Sequence, residues 1–478
     1  MEKELLQYNF SDNGVWSWMV LFAVLLGSLL IGNVLKKAIP PLKASLVPTS
    51  VLGGIILLII EAIFKAISGQ VMFDTALFGG QGTKSLEIIT YHALGLGFVA
   101  SALKTTGGRI SKKRSGEIFD TGVTTVSTYL LQGILGLIIT ISAAAVIVGF
   151  FPASGLLLPF GFGQGSGQAL NYGNIYEQLG FDGGRSFGLT IAALGFISAS
   201  VGGVIHLNLM KRCGKLKKST RKDGSLHTDE IESYNEIPMQ ESVDKMTIQL
   251  ALIAVSYLIA YFIMAVIAKL LPGMSSLIFG FNFLIGVLSA TLVKLILNLL
   301  RKKGLMRRKH TNNFLLTRVS NFFFDLMIVS GVAAIRLDIL ENYWGIMIIL
   351  GVVGAIATYV YTRFVAKRFF HDYYEEQFLA TYGMLTGTAS TGIILLREVD
   401  PDFKTPASDN LVYQNFPAIV FGLPLMFLAN YAPKNPVVCL IILAAFFAVM
   451  NVILFRRSIF SFFRKKHKEE SIDSHEEK

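Results

Sequence analysis

Apolar positions in this chain run together in long blocks rather than alternating. Eleven blocks lie near residues 15–35, 47–68, 86–103, 122–149, 185–210, 246–271, 275–298, 314–340, 344–366, 411–431 and 436–460. About 20 apolar residues suffice for a helix to cross the hydrocarbon core of a bilayer, so the pattern predicts eleven transmembrane helices. Two stretches break it. Residues 150–184 and 371–410 are too polar and too rich in Gly and Pro to be ordinary spans. They contain the runs Gly163-Gln164-Gly165-Ser166-Gly167-Gln168 and Thr386-Gly387-Thr388-Ala389-Ser390-Thr391-Gly392. Each reads as a re-entrant hairpin that enters the membrane, breaks at the glycine-rich run and returns. Bare backbone at membrane depth is tolerated only where protein buries it or where it lines a wet cavity.

Composition agrees with a membrane class. Of 478 residues, 53% are hydrophobic and 16% charged, against about 25% charged in an ordinary soluble domain. The net charge of +11 does not imply a nucleic-acid partner, because the cations sit in short clusters between apolar runs. With the N-terminus placed outside, the clusters Lys36/Lys37/Lys43, Lys104 to Arg114, Lys211 to Lys222, Arg301 to Lys309, Lys367/Arg368 and Arg456 to Lys466 all fall inside, as the positive-inside rule requires. The C-terminus is then cytoplasmic. The first apolar run is long enough to span, so no cleavable signal peptide is expected. Cys213 and Cys439 are far apart and support neither a disulfide framework nor a metal site.

The spans organise into two halves. Span four, the first hairpin and span five correspond to span nine, the second hairpin and span ten, and five intervening spans invert the second half. This predicts a repeat over 1–210 with its hairpin near 150–184, a flexible cytoplasmic linker at 211–245, and an inverted repeat over 246–432 with its hairpin near 371–410. An extra helix at 433–460 and a cytoplasmic tail at 461–478 follow, with the charged run from Lys465 to Lys478 expected to be disordered. The expected fold is an all-α polytopic membrane protein whose hairpins meet from opposite faces. Matched, interrupted hydrophobic segments of this kind point to the binding site of a secondary transporter.

A broken helix offers unpaired N–H groups to an anion at one end and unpaired C=O groups to a cation at the other. Gly163, Gly165, Gly167 and Gly387 allow close approach. Gln164, Ser166, Gln168, Thr386, Thr388, Ser390 and Thr391 add neutral polar groups without a buried charge. Together they suit a small anionic substrate moved with a cation, with Ser166, Thr388 and Asp325 as candidate Na⁺ ligands. Asp325 is the deepest carboxylate, with Asn321 and Arg318 on the same face of span eight. Arg318 either counters a substrate carboxylate or pairs internally while snorkelling to the surface; Asp325 either binds the cation or is structural. Glu61 and Lys65 read as a structural i,i+4 pair, His92 as a structural residue in preference to a proton relay, and His206, Arg336 and Arg363 as snorkelling near span ends. Gly79 to Lys84 lacks the spacing of a Walker phosphate loop.

Gly163-Gln164-Gly165-Ser166-Gly167 resembles the GHGTG-type loop of the bacterial sodium/glutamate symporter family. Val47-Pro48 with Gly53-Gly54, Ala102-Leu103-Lys104 with Gly107-Gly108-Arg109, and Thr386 to Thr391 resemble that family's IPEPVAGG, SLRAGGR and LGATPTA stretches, in family order over roughly residues 45–430. The resemblance implies Na⁺-coupled glutamate uptake by alternating access, in a bacterial inner membrane, by a homodimer in which a transport domain moves on a fixed scaffold, with no cofactor beyond the coupling ion. Gln164 stands where the family loop has His, Ser390 where it has Pro, and Gln168 where it has a small residue. These departures keep a di- or tricarboxylate carrier open as an alternative. An ion channel ranks below both. An enzyme is not expected, since the chain carries no HExxH, no GxSxG with a plausible His partner, and no paired aspartates in facing spans.

Overall fold

The computed structural model describes residues 12–104, 112–214, 236, 243–271, 275–340, 343–400 and 404–476. Among them the regular structure is α-helical, apart from short 3-10 turns and one isolated bridge between Glu236 and Lys309. The helices are α1 (Asn13–Ala38), α2 (Pro40–Ala44), α3 (Thr49–Ser68), α4 (Gly82–Leu103), α5 (Lys112–Val146), α6 (Leu157–Gln164), α7 (Ser166–Gln178), α8 (Gly184–Arg212), α9 (Lys245–Leu270), α10 (Ser275–Gly280), α11 (Asn282–Lys302), α12 (Asn313–Ala333), α13 (Trp344–Phe369), α14 (Tyr374–Thr386), α15 (Ala389–Arg397), α16 (Ala407–Tyr413), α17 (Asn415–Tyr431) and α18 (Pro436–Glu476). Ten are long and apolar enough to cross a membrane: α1, α3, α4, α5, α8, α9, α11, α12, α13 and the Pro436–Arg456 part of α18. The pair α16–α17, bent by 49°, gives an eleventh if the two helices are counted as one span.

The protein is an all-α polytopic membrane protein. Several boundaries depart from the sequence reading. The eighth span stops at Ala333 rather than near 340, because Arg336 and Asp338 pair with each other in the loop that follows. The seventh begins after a break at Phe281. The tail expected to be disordered instead continues α18 as helix to Glu476; Arg464, Lys465, Lys466, Lys468, Glu469 and Glu470 are strong helix formers. Most of the expected linker, including Lys217, Lys218, Asp229 and Glu230, lies outside the described residues, as does Arg109. Glu236, from that linker, is buried against Lys245 at 3.0 Å.

The helices fall into two groups. In one, α4 and α12 cross closely: Gly97 seats the Phe324 ring, Ser320 Oγ donates to Gly97 O at 2.9 Å, and Thr90 and Ser330 hydroxyls pair at 2.8 Å. α3 lies on α12 through Gly54 and on α1 through Gly53, while α11 lies on α4 through Gly286. In the other group, α8 is the common support. On it, Gly184 packs on Gly173 of α7 and Gly188 on Ala169 of α7. Further along, Gly195 touches Phe162 of α6 and Thr386 of α14, Gly202 takes the Tyr382 side chain and Gly203 the Leu395 side chain. At Gly188 and Gly195 an added Cβ would overlap a neighbour's backbone oxygen. Without a hydrophobic drive between helices inside lipid, such close approach supplies the packing energy.

Gly195→Val is therefore expected to lower the thermal unfolding midpoint of the detergent-purified protein by several degrees, the overpacking penalty being of the order of 1–3 kcal/mol. Gly27→Ala, where nothing lies within 4 Å of an added Cβ, is expected to leave it unchanged or raise it. Equal midpoints for the two variants would refute the load assigned to Gly195.

Candidate functional site

α6–α7 and α14–α15 are helix–break–helix hairpins. In the first, Phe160 stacks on Tyr172 across the break, with ring centroids 3.8 Å apart. In the second, Gly383 lies against Gly392. The first breaks at Gly165, whose φ of +81° is in the region that favours glycine. The second breaks at Gly387 and Thr388. α7 and α8 meet near Gly184, whereas α14 enters at the opposite end of α8, where Glu375 bonds His206. Gly195, where the two hairpins meet on α8, is eleven residues from Gly184, or about 17 Å into a core about 30 Å thick.

The broken tips touch. A Cβ built on Gly165 would lie 3.5 Å from Thr388 Cγ2, 3.6 Å from Met327 Cε and 3.9 Å from Gly387 O. α5 supports both tips: Tyr129 OH donates to Gly163 O at 3.0 Å, and Gln132 Nε2 donates to Leu385 O at 3.0 Å and to Thr358 Oγ1 at 2.8 Å. A cavity of about 130 Å³ opens beside the junction, between the hairpins and α4, α11, α12 and α17. Its polar lining comes from Gln164, Gln168, Thr388, Asn415 and Ser101, and its apolar lining includes Phe98, Phe324 and Met327. Among the described residues, no charged side chain lines it.

The structure brings most of the sequence candidates together at this junction. Gly163, Gln164, Gln168, Gly387 and Thr388 line the cavity. Gly165 forms the contact between tips, and Gly167 packs on Leu94. Ser166 is buried and donates to Met327 O at 3.3 Å. Thr386 donates to Tyr382 O within its own helix, and Thr388 Oγ1 caps α15 at Thr391, whose hydroxyl lies 3.4 Å away. The Ser390 side chain lies outside the described residues. Arg318, Asn321 and Asp325 are not brought in. All three are exposed and none lines the cavity, with Asp325 beside Ser50 of α3 and Arg318 over the Phe314 ring. Of the three Na⁺ candidates, Ser166 and Thr388 thus flank the junction and Asp325 does not.

The sequence reading missed Tyr129, Gln132 and Asn415. An amide in mid-span at Gln132 and the polar break before Pro417 were available signals. Other assignments change. His206 does not snorkel: it is buried, bonded to Glu375 Oε2 and Tyr359 OH, each at 2.8 Å, and to Arg363 at 2.7 Å. Glu61 and Lys65 serve different partners, Glu61 accepting from Met72 N and Lys65 pairing with Asp338 at 2.7 Å.

The two ends of the site differ. At the Gly184 end, polar links join the two helix groups: Arg185 to Glu87 at 2.6 Å, and Asn171 Nδ2 donating to Gly280 O at 2.9 Å. Beside them, hydrogen bonds from Arg336, together with Lys65, hold the Asp338 carboxyl down at about 2, so that clasp stays charged through the physiological range. At the opposite end a second cavity, of about 280 Å³, shares Phe98, Ser101, Asn415 and Ile419 with the first and reaches Lys104, Lys294 and Asp409.

The sequence profile of the sodium/glutamate symporters matches residues 17–404, a span that includes both hairpins. The chain belongs to the sodium/glutamate symporter family. That is a family of transporters, not of enzymes, and membership agrees with the multi-pass helical fold. No curated protein matches the chain as a relative.

Replacing Gly165 or Gly387 with Leu in this symporter-family protein is expected to abolish transport at normal expression and with a monodisperse purified product. Wild-type uptake by both variants would remove the junction from the site. Asp325→Asn is expected to leave the Na⁺ concentration for half-maximal uptake unchanged; a shift would bring Asp325 into the ion path.

Proposed function

We propose that the protein is a Na⁺-coupled symporter of glutamate or a similar small anionic amino acid, working by alternating access. The observation that carries this reading is the contact of two opposed hairpin tips beside a cavity of neutral polar groups. The first turns of α7 and α15 leave N–H groups without intrahelical partners, which suits a carboxylate. The ends of α6 and α14 leave carbonyls that suit a hard cation. With Ser166 and Thr388 nearby, charge on the cargo is met by oriented dipoles and by the co-transported ion.

The basic loops lie at the end where the second cavity opens, so that end is read as cytoplasmic and the structure as inward-open. Closing it while breaking the Arg185–Glu87 and Asn171–Gly280 links would expose the junction to the other side. α5 to α8 and α13 to α18 form the body that carries the hairpins, and α1, α3, α4, α9, α11 and α12 form the scaffold, so a sliding, elevator-like displacement is the natural movement.

Labelled glutamate is expected to enter proteoliposomes only under an inward Na⁺ gradient. Uptake of dicarboxylates without amino acids would make the protein a dicarboxylate carrier, and single-channel currents in a planar bilayer would make it a channel. No uptake of either cargo class under any Na⁺ or H⁺ gradient would sink the transport reading.

A further inference from the structure

Gln168 stands at the third position of α7 and lines the cavity, yet it is 1% exposed and both of its amide atoms are buried without a hydrogen-bond partner. An unpaired buried donor or acceptor is costly, and here both occur on one group. The cavity it lines is largely apolar, with Leu94, Phe98, Phe283, Phe324 and Met327 in its wall. Exchanging the amide N and O by a flip leaves the requirement unchanged, since one atom must still donate and the other accept.

We infer that Gln168 is a specificity-determining residue that reads the α-amino-acid head of the cargo, its Oε1 accepting from the ammonium and its Nε2 donating to the α-carboxylate. This rests on the transport reading above and deepens it. The two amide atoms are attached to one carbon. In an α-amino acid the ammonium nitrogen and the carboxylate carbon are both attached to the α-carbon, so a donor and an acceptor lie side by side and can face the two atoms of the amide. A dicarboxylate supplies acceptors alone. It can satisfy Nε2 but leaves Oε1 buried without a donor, and a site built to hydrogen-bond a cargo group rejects analogues that lack it. The absence of any charged side chain among the described lining residues removes the usual means of holding an ammonium and leaves the task to neutral oxygens, of which Gln168 Oε1 is buried without a partner.

Glutamate and glutarate, the same five-carbon diacid without the ammonium, separate this inference from the reading beneath it. In Na⁺-loaded medium, glutamate is expected to compete with labelled glutamate uptake, and to raise the unfolding midpoint of purified protein, at far lower concentration than glutarate. In Gln168→Leu the glutamate affinity is expected to fall about ten- to a hundred-fold, the range for lost hydrogen bonds to charged groups, while the glutarate affinity changes much less, so the ratio collapses. An unchanged ratio in a folded Gln168→Leu protein overturns the assignment. So does equal potency of glutamate and glutarate in the wild type, a measurement that needs no variant to fold. If neither compound binds or is transported, the substrate reading itself fails.

Discussion

Close backbone approach along α8 is the constraint on which the rest of this structure depends. Its glycines accept α7 from one end and α14 from the other, and the hairpin tips therefore arrive at the same depth. Neither hairpin could hold that position alone. Each is a pair of helices of 8 to 13 residues, too short to be anchored by length across a core about 30 Å thick. Their depth is set by where a Cβ is missing on the neighbouring helix. A glycine face on one spanning helix thus does the work that a sheet edge or a metal does in soluble binding sites.

The junction combines this packing with uncharged chemistry. Tyr129 and Gln132, both on α5, fix one carbonyl of each tip. The polar side chains that remain are amides and hydroxyls, which avoid the cost of an isolated charge inside the membrane. Charged groups are placed instead at the ends. Arg185, Glu87, Arg336 and Asp338 lie at one, and Lys104, Lys294 and Asp409 at the other. Solvent can compensate them there.

Much of this was legible in the sequence, for physical reasons. Uninterrupted apolar runs identify spans because lipid imposes a minimum length, and the two glycine-rich runs stood out because lipid does not tolerate bare backbone. The hairpin residues from Gly163 to Gln168 and from Gly387 to Thr391 follow from that alone. What the sequence could not reveal was which face of each span looks inward. Asp325 is an intramembrane carboxylate and by rule a functional candidate, but α12 brings Phe324 and Met327 to the cavity and leaves Asp325 out of its lining. His206 was misread for the converse reason: its partners Glu375 and Arg363 are more than 150 residues distant, and no local pattern announces them. Gln132 carries its role through long-range contacts as well.

The cluster around His206 has an electrical consequence. Glu375 and Arg363 are a carboxylate and a guanidinium 3.8 Å apart, so the charges of this pair cancel. It belongs to the body that bears the hairpins. Were that body to travel through the membrane field, the pair would contribute no gating charge, since opposite charges displaced together do no net work against the potential. The cavity lining adds none either. The current that accompanies a transport cycle would then owe nothing to these two parts of the body, and would reflect the ions and cargo it carries.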